Sequence, residues 1–355
     1  MTDHTLRIEA FVKLGTFLSD FCISANNEHP IAEHSSDLLN TLEDKITLAK
    51  HKNGWFNREN IIFSLQSWAN ALTKENIQDW LSNYNLNINE NPKRVALIMA
   101  GNIPLVGFHD FLSVLITGNK AVVKLSSNDN ILLPFVADIL IDIAPLFQES
   151  IFFEEEQLPD FDMVIATGSN NTARYFEHYF KNKPHIIRKN RNSVAILTGK
   201  ESKEELIALG EDIFRYYGLG CRSVSKIFVP KGYNFDLFFE ALYNYHPIIE
   251  QAKYANNYDY NKAVYLMSEF KLLENGFLIL KEDSSYSSPI ASLFYETYNS
   301  IENIKNQLKT DEDKIQCIVS NGLLQTEIKF GATQTPKLTD YADNIDTVDF
   351  LLRNS

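Results

Sequence analysis

The fold can be read outward from Arg94-Val95-Ala96-Leu97-Ile98-Met99-Ala100-Gly101-Asn102-Ile103-Pro104. Its apolar run makes a buried-strand candidate, and the Gly-Asn-Ile-Pro that follows ends the strand in a turn. A helical stretch with Phe108, Phe111, Leu112 and Leu115 comes next and stops at Gly118-Asn119. The order then repeats. Ala121-Val122-Val123-Lys124-Leu125 is a strand, and a helix runs through Phe135 to Ile143. Met163-Val164-Ile165-Ala166 is a third strand with Thr167-Gly168-Ser169 as its turn, and a helix starts near Thr172. Alternating strand, turn and helix predict a parallel, doubly wound sheet, which binds ligands at the carboxyl ends of its strands.

On the amino-terminal side, Leu6, Ile8, Phe11, Val12, Phe17 and Leu18 fall roughly at helical spacing, as do Ile61, Phe63, Leu65, Trp68 and Leu72. An Asn-rich stretch from Asn83 to Asn91, closed by Pro92, reads as a loop and a domain edge. On the other side, Ser193-Val194-Ala195-Ile196-Leu197 is a strand. A helix opens at Ser202, with Glu205 completing a capping box, and is expected to run to about Tyr217. Gly218-Leu219-Gly220-Cys221 ends it, and Ser225-Lys226-Ile227-Phe228-Val229-Pro230 begins a second α/β unit. The tail from Gly331 is polar and shows no clear helix. The expected division is a helical segment over 1–90, an α/β domain over 91–197, a second over 198–320 and a tail over 321–355.

With 355 residues, 45% of them hydrophobic and 22% charged, the chain can bury more than one core. A net charge of −13 argues against a nucleic-acid surface, which needs clustered Lys and Arg. No apolar run approaches the ~18 residues of a membrane span, and the first residues lack a signal-peptide pattern, so a cytoplasmic protein is expected. Three scattered cysteines and dispersed histidines make neither a disulfide framework nor a metal site. Glu154-Glu155-Glu156 reads as a solvated loop. Neither G-x-G-x-x-G nor G-x-x-x-x-G-K occurs.

Cys221 stands apart from Cys22 and Cys317. A lone Cys is most often a small buried hydrophobe. This one follows Gly218 and Gly220, precedes Arg222, and lies between a helix and a strand. Glycine permits close backbone approach of a substrate, and a neighbouring cation lowers a thiol pKa.

Four segments in order resemble the aldehyde dehydrogenase superfamily, and within it the acyl-CoA reductase branch that includes the fatty-acid reductase of bacterial luminescence. Residues 99–104 resemble its Asn-x-Pro turn, and Val123-Lys124-Leu125-Ser126-Ser127 its Lys-Pro-Ser-Glu cofactor segment. Thr167-Gly168-Ser169 resembles its Thr-Gly-Ser turn, and Gly218-Leu219-Gly220-Cys221 its Gly-x-x-Cys nucleophile. Within the branch the likeness extends to residues 189–193, 331–336 and 341–343. The resemblance implies an aldehyde-dehydrogenase-like α/β fold, with two doubly wound domains, a helical amino-terminal segment and a carboxyl-terminal oligomerisation tail.

It also implies Cys221 as nucleophile and Asn102 as oxyanion donor, with Lys124, Ser126, Ser127, Gly168 and Ser169 around the cofactor. Arg188 and Arg191 are candidates for CoA phosphates. The superfamily's general-base Glu has no counterpart in Ile187-Arg188-Lys189-Asn190-Arg191-Asn192-Ser193. Without a base to activate water, a thioester intermediate survives to accept hydride, which points to reduction of acyl-CoA rather than oxidation of aldehyde. Ser127 stands where NAD-preferring relatives often place Glu, so NADPH is the expected cofactor, with NADH as the alternative. Implied partners are acyl-CoA or an acyl-donor protein, an acyl-protein synthetase and a second copy of the chain. Rival readings are an acyl-phosphate reductase, an NAD(P)-dependent aldehyde dehydrogenase, and an inactive scaffold of the same fold.

Overall fold

The computed structural model describes residues 3–26, 36–86, 91–156 and 158–355. They form two compact units, Met1–Lys189 with Lys337–Ser355, and Asn190–Pro336.

The first unit opens with four helices, α1 (Asp3–Asn26), α2 (Ser36–Lys52), α3 (Arg58–Ala71) and α4 (Lys74–Leu81). Asn57 and Thr73 cap the third and fourth by accepting from Asn60 N–H and Asn76 N–H. Then come β1 (Arg94–Ile98), α5 (Phe108–Ile116), β2 (Lys120–Lys124), α6 (Leu132–Ile143), β3 (Ile151–Phe153), β4 (Met163–Thr167), α7 (Asn170–Tyr179) and β5 (His185–Arg188). The strands make one parallel sheet ordered β3-β2-β1-β4-β5. Alternation along β1 sends Val95 and Leu97 into a large core shared with α1–α6. Ala96 faces a smaller core with Val164 and Ala166. The amino-terminal helices are therefore built into the same core as the sheet. The Asn-rich stretch expected to divide them includes residues 87–90, which lie outside the described residues.

The second unit contains β6 (Asn192–Ile196), α8 (Lys203–Phe214), β7 (Val224–Pro230), α9 (Asp236–Leu242), α10 (Ala252–Met267), β8 (Leu272–Glu274), β9 (Ile279–Glu282), β10 (Ser292–Tyr298), α11 (Ile301–Thr310) and β11 (Ile315–Val319). Its sheet runs β11-β6-β7-β10-β9-β8, parallel except for the β8–β9 pair. Ala195 and Leu197 pack with α8 and α9 on one face, and Val194 and Ile196 with α11 on the other.

Two expectations are corrected. The α8 helix stops at Phe214 rather than near Tyr217, because Tyr216 and Tyr217 adopt left-handed backbone (φ 54° and 58°). The tail is not free of helix: α12 (Thr347–Arg353) starts from an Asp346 cap and buries Val348 and Leu351 in the first unit's core. Tyr341 reinforces that return, accepting from Trp80 Nε1 and sharing a hydrogen bond with Tyr84, both at 2.7 Å. Leu351→Ala should therefore destabilise the first unit by about 2–5 kcal/mol, read from denaturant unfolding. A loss under about 0.5 kcal/mol, the size of a surface change, would exclude the tail from that core.

Candidate active site

In the first unit, three segments singled out in the sequence leave the same sheet edge. Residues 99–102 follow β1, Ser126 and Ser127 follow Lys124 at the end of β2, and Gly168-Ser169 follows β4. Ile98 pairs with both Lys124 and Ala166, so the three loops depart at one level. With β2 on one side of β1 and β4 on the other, this is a switch point of a doubly wound sheet. The first two loops touch closely. A Cβ placed on Gly101 would lie 2.7 Å from both Cβ and Oγ of Ser126, so only glycine fits there. Ser126 Oγ accepts from Asn128 N–H at 3.2 Å, closing a short turn. The Lys124 ammonium donates to the carbonyl of Glu156. Ser169 caps α7 by accepting from Thr172 N–H at 3.2 Å. Hydroxyls, a lysine and a helix amino terminus at one sheet edge have the chemistry to hold the ribose and phosphates of a dinucleotide. The side chains of Asn102, Ser127 and Ser169 are exposed.

Cys221 lies in the second unit, at the amino ends of β6 and β7, the opposite end from that used in the first unit. It is exposed, whereas Cys22 and Cys317 are buried. Burial pushes the Cys22 thiol up to about 12, which leaves it protonated and inert at neutral pH. Three consecutive left-handed residues, Tyr216, Tyr217 and Gly218 (φ 75°), deliver the chain to the thiol. Each non-glycine residue in that region costs about 1–2 kcal/mol. Burial of both tyrosines holds the turn in place, and such strain clusters at functional sites. The loop is tied on its far side as well. The buried Ser193 hydroxyl donates to the Cys221 carbonyl at 2.9 Å, and the β6–β7 register slips between Ser193 and Val194 beside it. Arg222, next to the thiol in sequence, donates to Cys317 Sγ at 3.3 Å.

The two candidate phosphate-binding arginines are committed elsewhere. Arg188 is buried, ion-paired to Asp110, and donates to the carbonyl of Ala342 at 2.6 Å and to Thr347 Oγ1 at 3.1 Å. It holds the tail against the sheet rather than offering a guanidinium to a ligand. Half-buried Arg191 donates to the carbonyls of Glu312 and Ile315 at 3.2 and 3.3 Å.

Residues that sequence reasoning passed over complete the support of the Cys221 loop. Asp212, fully buried near the end of α8, accepts from Gly331 N–H at 2.7 Å, Thr333 N–H at 2.9 Å and Thr333 Oγ1 at 2.8 Å. This fixes residues 331–333, and the next residue, Gln334, donates to Ser223 Oγ at 3.3 Å, two residues from the thiol. The signal was a carboxylate three residues after Leu209, on the buried stripe of an amphipathic helix. Burial pushes the Asp212 carboxyl up to about 6, with the three donors offsetting part of the rise.

Its folded-state value thus exceeds the unfolded value of about 4, so its stabilising contribution is complete below that pH and is lost as pH rises through about 6. Between pH 4 and 7, wild type should lose about 2 kcal/mol relative to Asp212→Asn, measured as the difference between two denaturant series. A difference that stays constant over that range would refute the raised value.

The family model for "Acyl-CoA reductase (LuxC)" matches residues 33–243, more than half of the chain. The "long-chain acyl-protein thioester reductase" of Aliivibrio fischeri is 26% identical over 233 residues, 58% of this chain and 47% of that protein. The chain thus aligns with about half the length of this curated relative. Among solved structures, aldehyde dehydrogenase 21 of Physcomitrella patens superposes with a TM-score of 0.64 at 11% identity, over 98% of this chain and 87% of that one. The NAD+ complex of an aldehyde dehydrogenase from Bacillus cereus gives 0.61 at 13% identity, over 90% and 72%. At such identities the structures speak for the fold alone, and the family model speaks for descent. The chain belongs to the acyl-CoA reductase (LuxC) family and has the aldehyde-dehydrogenase-like α/β fold.

Proposed function

We propose that the chain reduces an acyl thioester to the aldehyde at the expense of NADPH, through an acyl-enzyme on Cys221. The observation that carries this reading is the exposed thiol at the end of a strained, braced loop, in a chain whose other cysteines are buried. The Cys221 thiolate attacks the carbonyl carbon, a C–S bond forms, and the donor thiol departs as thiolate. The Asn102 amide and the Cys221 backbone N–H hold the oxyanion, a donor pair of which each member is typically worth about 10²–10³ in turnover. Lys124, Ser126, Ser127, Gly168 and Ser169 would hold a reduced nicotinamide cofactor, which would supply hydride for the thioester carbon. The resulting thiohemiacetal collapses to aldehyde and returns the Cys221 thiolate. No carboxylate lies between Ile187 and Ser193 to activate water, so hydrolysis does not compete.

The donor follows from the family name as acyl-CoA, while the name of the Aliivibrio relative favours an acyl group carried on a protein thiol. Both donors give the same acyl-enzyme. A solved neighbour of this fold binds NAD+, which supports a nicotinamide at the edge formed by Lys124, Ser126, Ser127, Gly168 and Ser169. Ser127, exposed beside that edge, leaves room for a 2′-phosphate that Glu would repel.

Cys221→Ala should leave NADPH binding intact and abolish NADPH oxidation with a long-chain acyl-CoA. Radiolabelled acyl-CoA should mark wild type and not the variant. Appreciable turnover by the variant would sink the proposal. Ser127→Glu should shift the kcat/KM ratio of NADPH to NADH toward NADH by about tenfold or more, the scale of one charge-assisted contact. An unchanged ratio would remove Ser127 from the cofactor's 2′ position.

A further inference from the structure

The turn that carries Asn102 is held from below by three buried polar side chains drawn from three different parts of the first unit. Asn53 Nδ2 donates to the Gly101 carbonyl at 3.4 Å and to the Asn128 carbonyl at 3.3 Å. Ser64 Oγ donates to the Pro104 carbonyl at 3.0 Å. Asp129 Oδ2 accepts from Leu105 N–H at 3.1 Å. Leu105 is itself left-handed (φ 56°) and buried, a conformation that persists only where its surroundings impose it. The same Asp129 closes the turn of the cofactor segment, donating its backbone N–H to the Ser126 carbonyl at 3.1 Å. Its backbone nitrogen would also lie 3.0 Å from a Cβ on Gly101. One residue thus touches both the Asn102 turn and the Ser126–Ser127 segment.

We infer that Asp129 is a positioning residue for catalysis, fixing through Leu105 the turn that aims the Asn102 amide and locking that turn to the cofactor segment. The inference rests on the oxyanion role proposed for Asn102. The carboxyl sits in an apolar setting with Leu105, Leu132 and Leu133 buried around the turn and helix start. It feels desolvation and the backbone N–H groups of Leu105 and Leu132, with no charged side chain contributing, and burial pushes it up to about 7. An isolated buried carboxyl costs stability that an apolar residue would spare. What it supplies in return is an acceptor for the N–H of a residue that cannot satisfy itself within regular structure. Asn preserves that acceptor, and Ala removes it.

The experiment uses the full chain with a long-chain acyl-CoA and NADPH. Asp129→Ala should lower kcat about 10–100-fold with both KM values within about threefold, because a displaced oxyanion donor costs transition-state and not ground-state binding. Asp129→Asn should stay within about threefold of wild type. Asn102→Ala should lose about 10²–10³, and adding Asp129→Ala to it should cost little more, as for two residues acting through one interaction. Should Asp129→Ala fail to fold, Ser64→Ala, which removes only the Pro104 brace, should give the same kcat-only loss at about 3–10-fold. Full turnover by a folded Asp129→Ala, or losses that multiply in the double variant, would overturn the inference while leaving Asn102 in its role. Full turnover by Asn102→Ala would instead overturn the oxyanion reading and this inference with it.

Discussion

Parallel pairing is the constraint on which the remaining architecture depends. A parallel neighbour cannot be reached by a tight turn, so each strand must be followed by a crossover that brings the chain back to the starting edge. Between parallel strands, the loops after the strands then emerge on one edge of the sheet and the loops before them on the other. In the first unit that places the segments after β1, β2 and β4 side by side without any direct sequence relation between them. In the second unit the same rule acts in reverse. The loop before β7 carries Cys221, and Ser193, at the start of β6, lies beside it because β6 and β7 are paired.

Much of this was legible in the residues themselves. The apolar runs at 94–100, 121–125, 163–166, 193–197 and 225–230 correspond to β1, β2, β4, β6 and β7, because buried parallel strands need continuous apolar sequence. Three-residue β3 is too short to register as a run. His185-Ile186-Ile187-Arg188 offers two apolar residues between charged flanks, so β5 reads as a basic segment until Val164, Ile165 and Ala166 are seen to pair with it. The α12 helix carries an Asp cap and buries two of its four apolar residues, Val348 and Leu351. Seven residues are too few for that pattern to carry weight as a helix.

In each unit the candidate groups legible in the sequence are polar ones that face outward, and those that face inward were illegible. Cys221, Asn102 and Ser127 are exposed and sit in turns that glycine or proline announces. Asp129, Asp212, Ser193 and Gln334 act from beneath, through hydrogen bonds spanning 24 to 121 residues of sequence. No local pattern encodes such a pairing. Arg188 misled in the opposite sense: it stood in a basic cluster that looked like a ligand surface, and it is buried against Asp110 and the tail.

The chain's path through its two units has a consequence for how the molecule assembles. The second unit is an insertion: the polypeptide leaves the first at Lys189 and re-enters it at Lys337. Val348 and Leu351 belong to the same core as Phe11 and Leu97, although more than 250 residues separate them from either. The inserted unit has all its own strands contiguous in sequence and can close while the chain is still on the ribosome. The first unit cannot, since its core lacks pieces until residues 337–355 have been made. Order of synthesis and order of completion are therefore inverted. A premature stop or proteolytic clip near residue 337 would expose apolar surface in the half of the protein that was translated first.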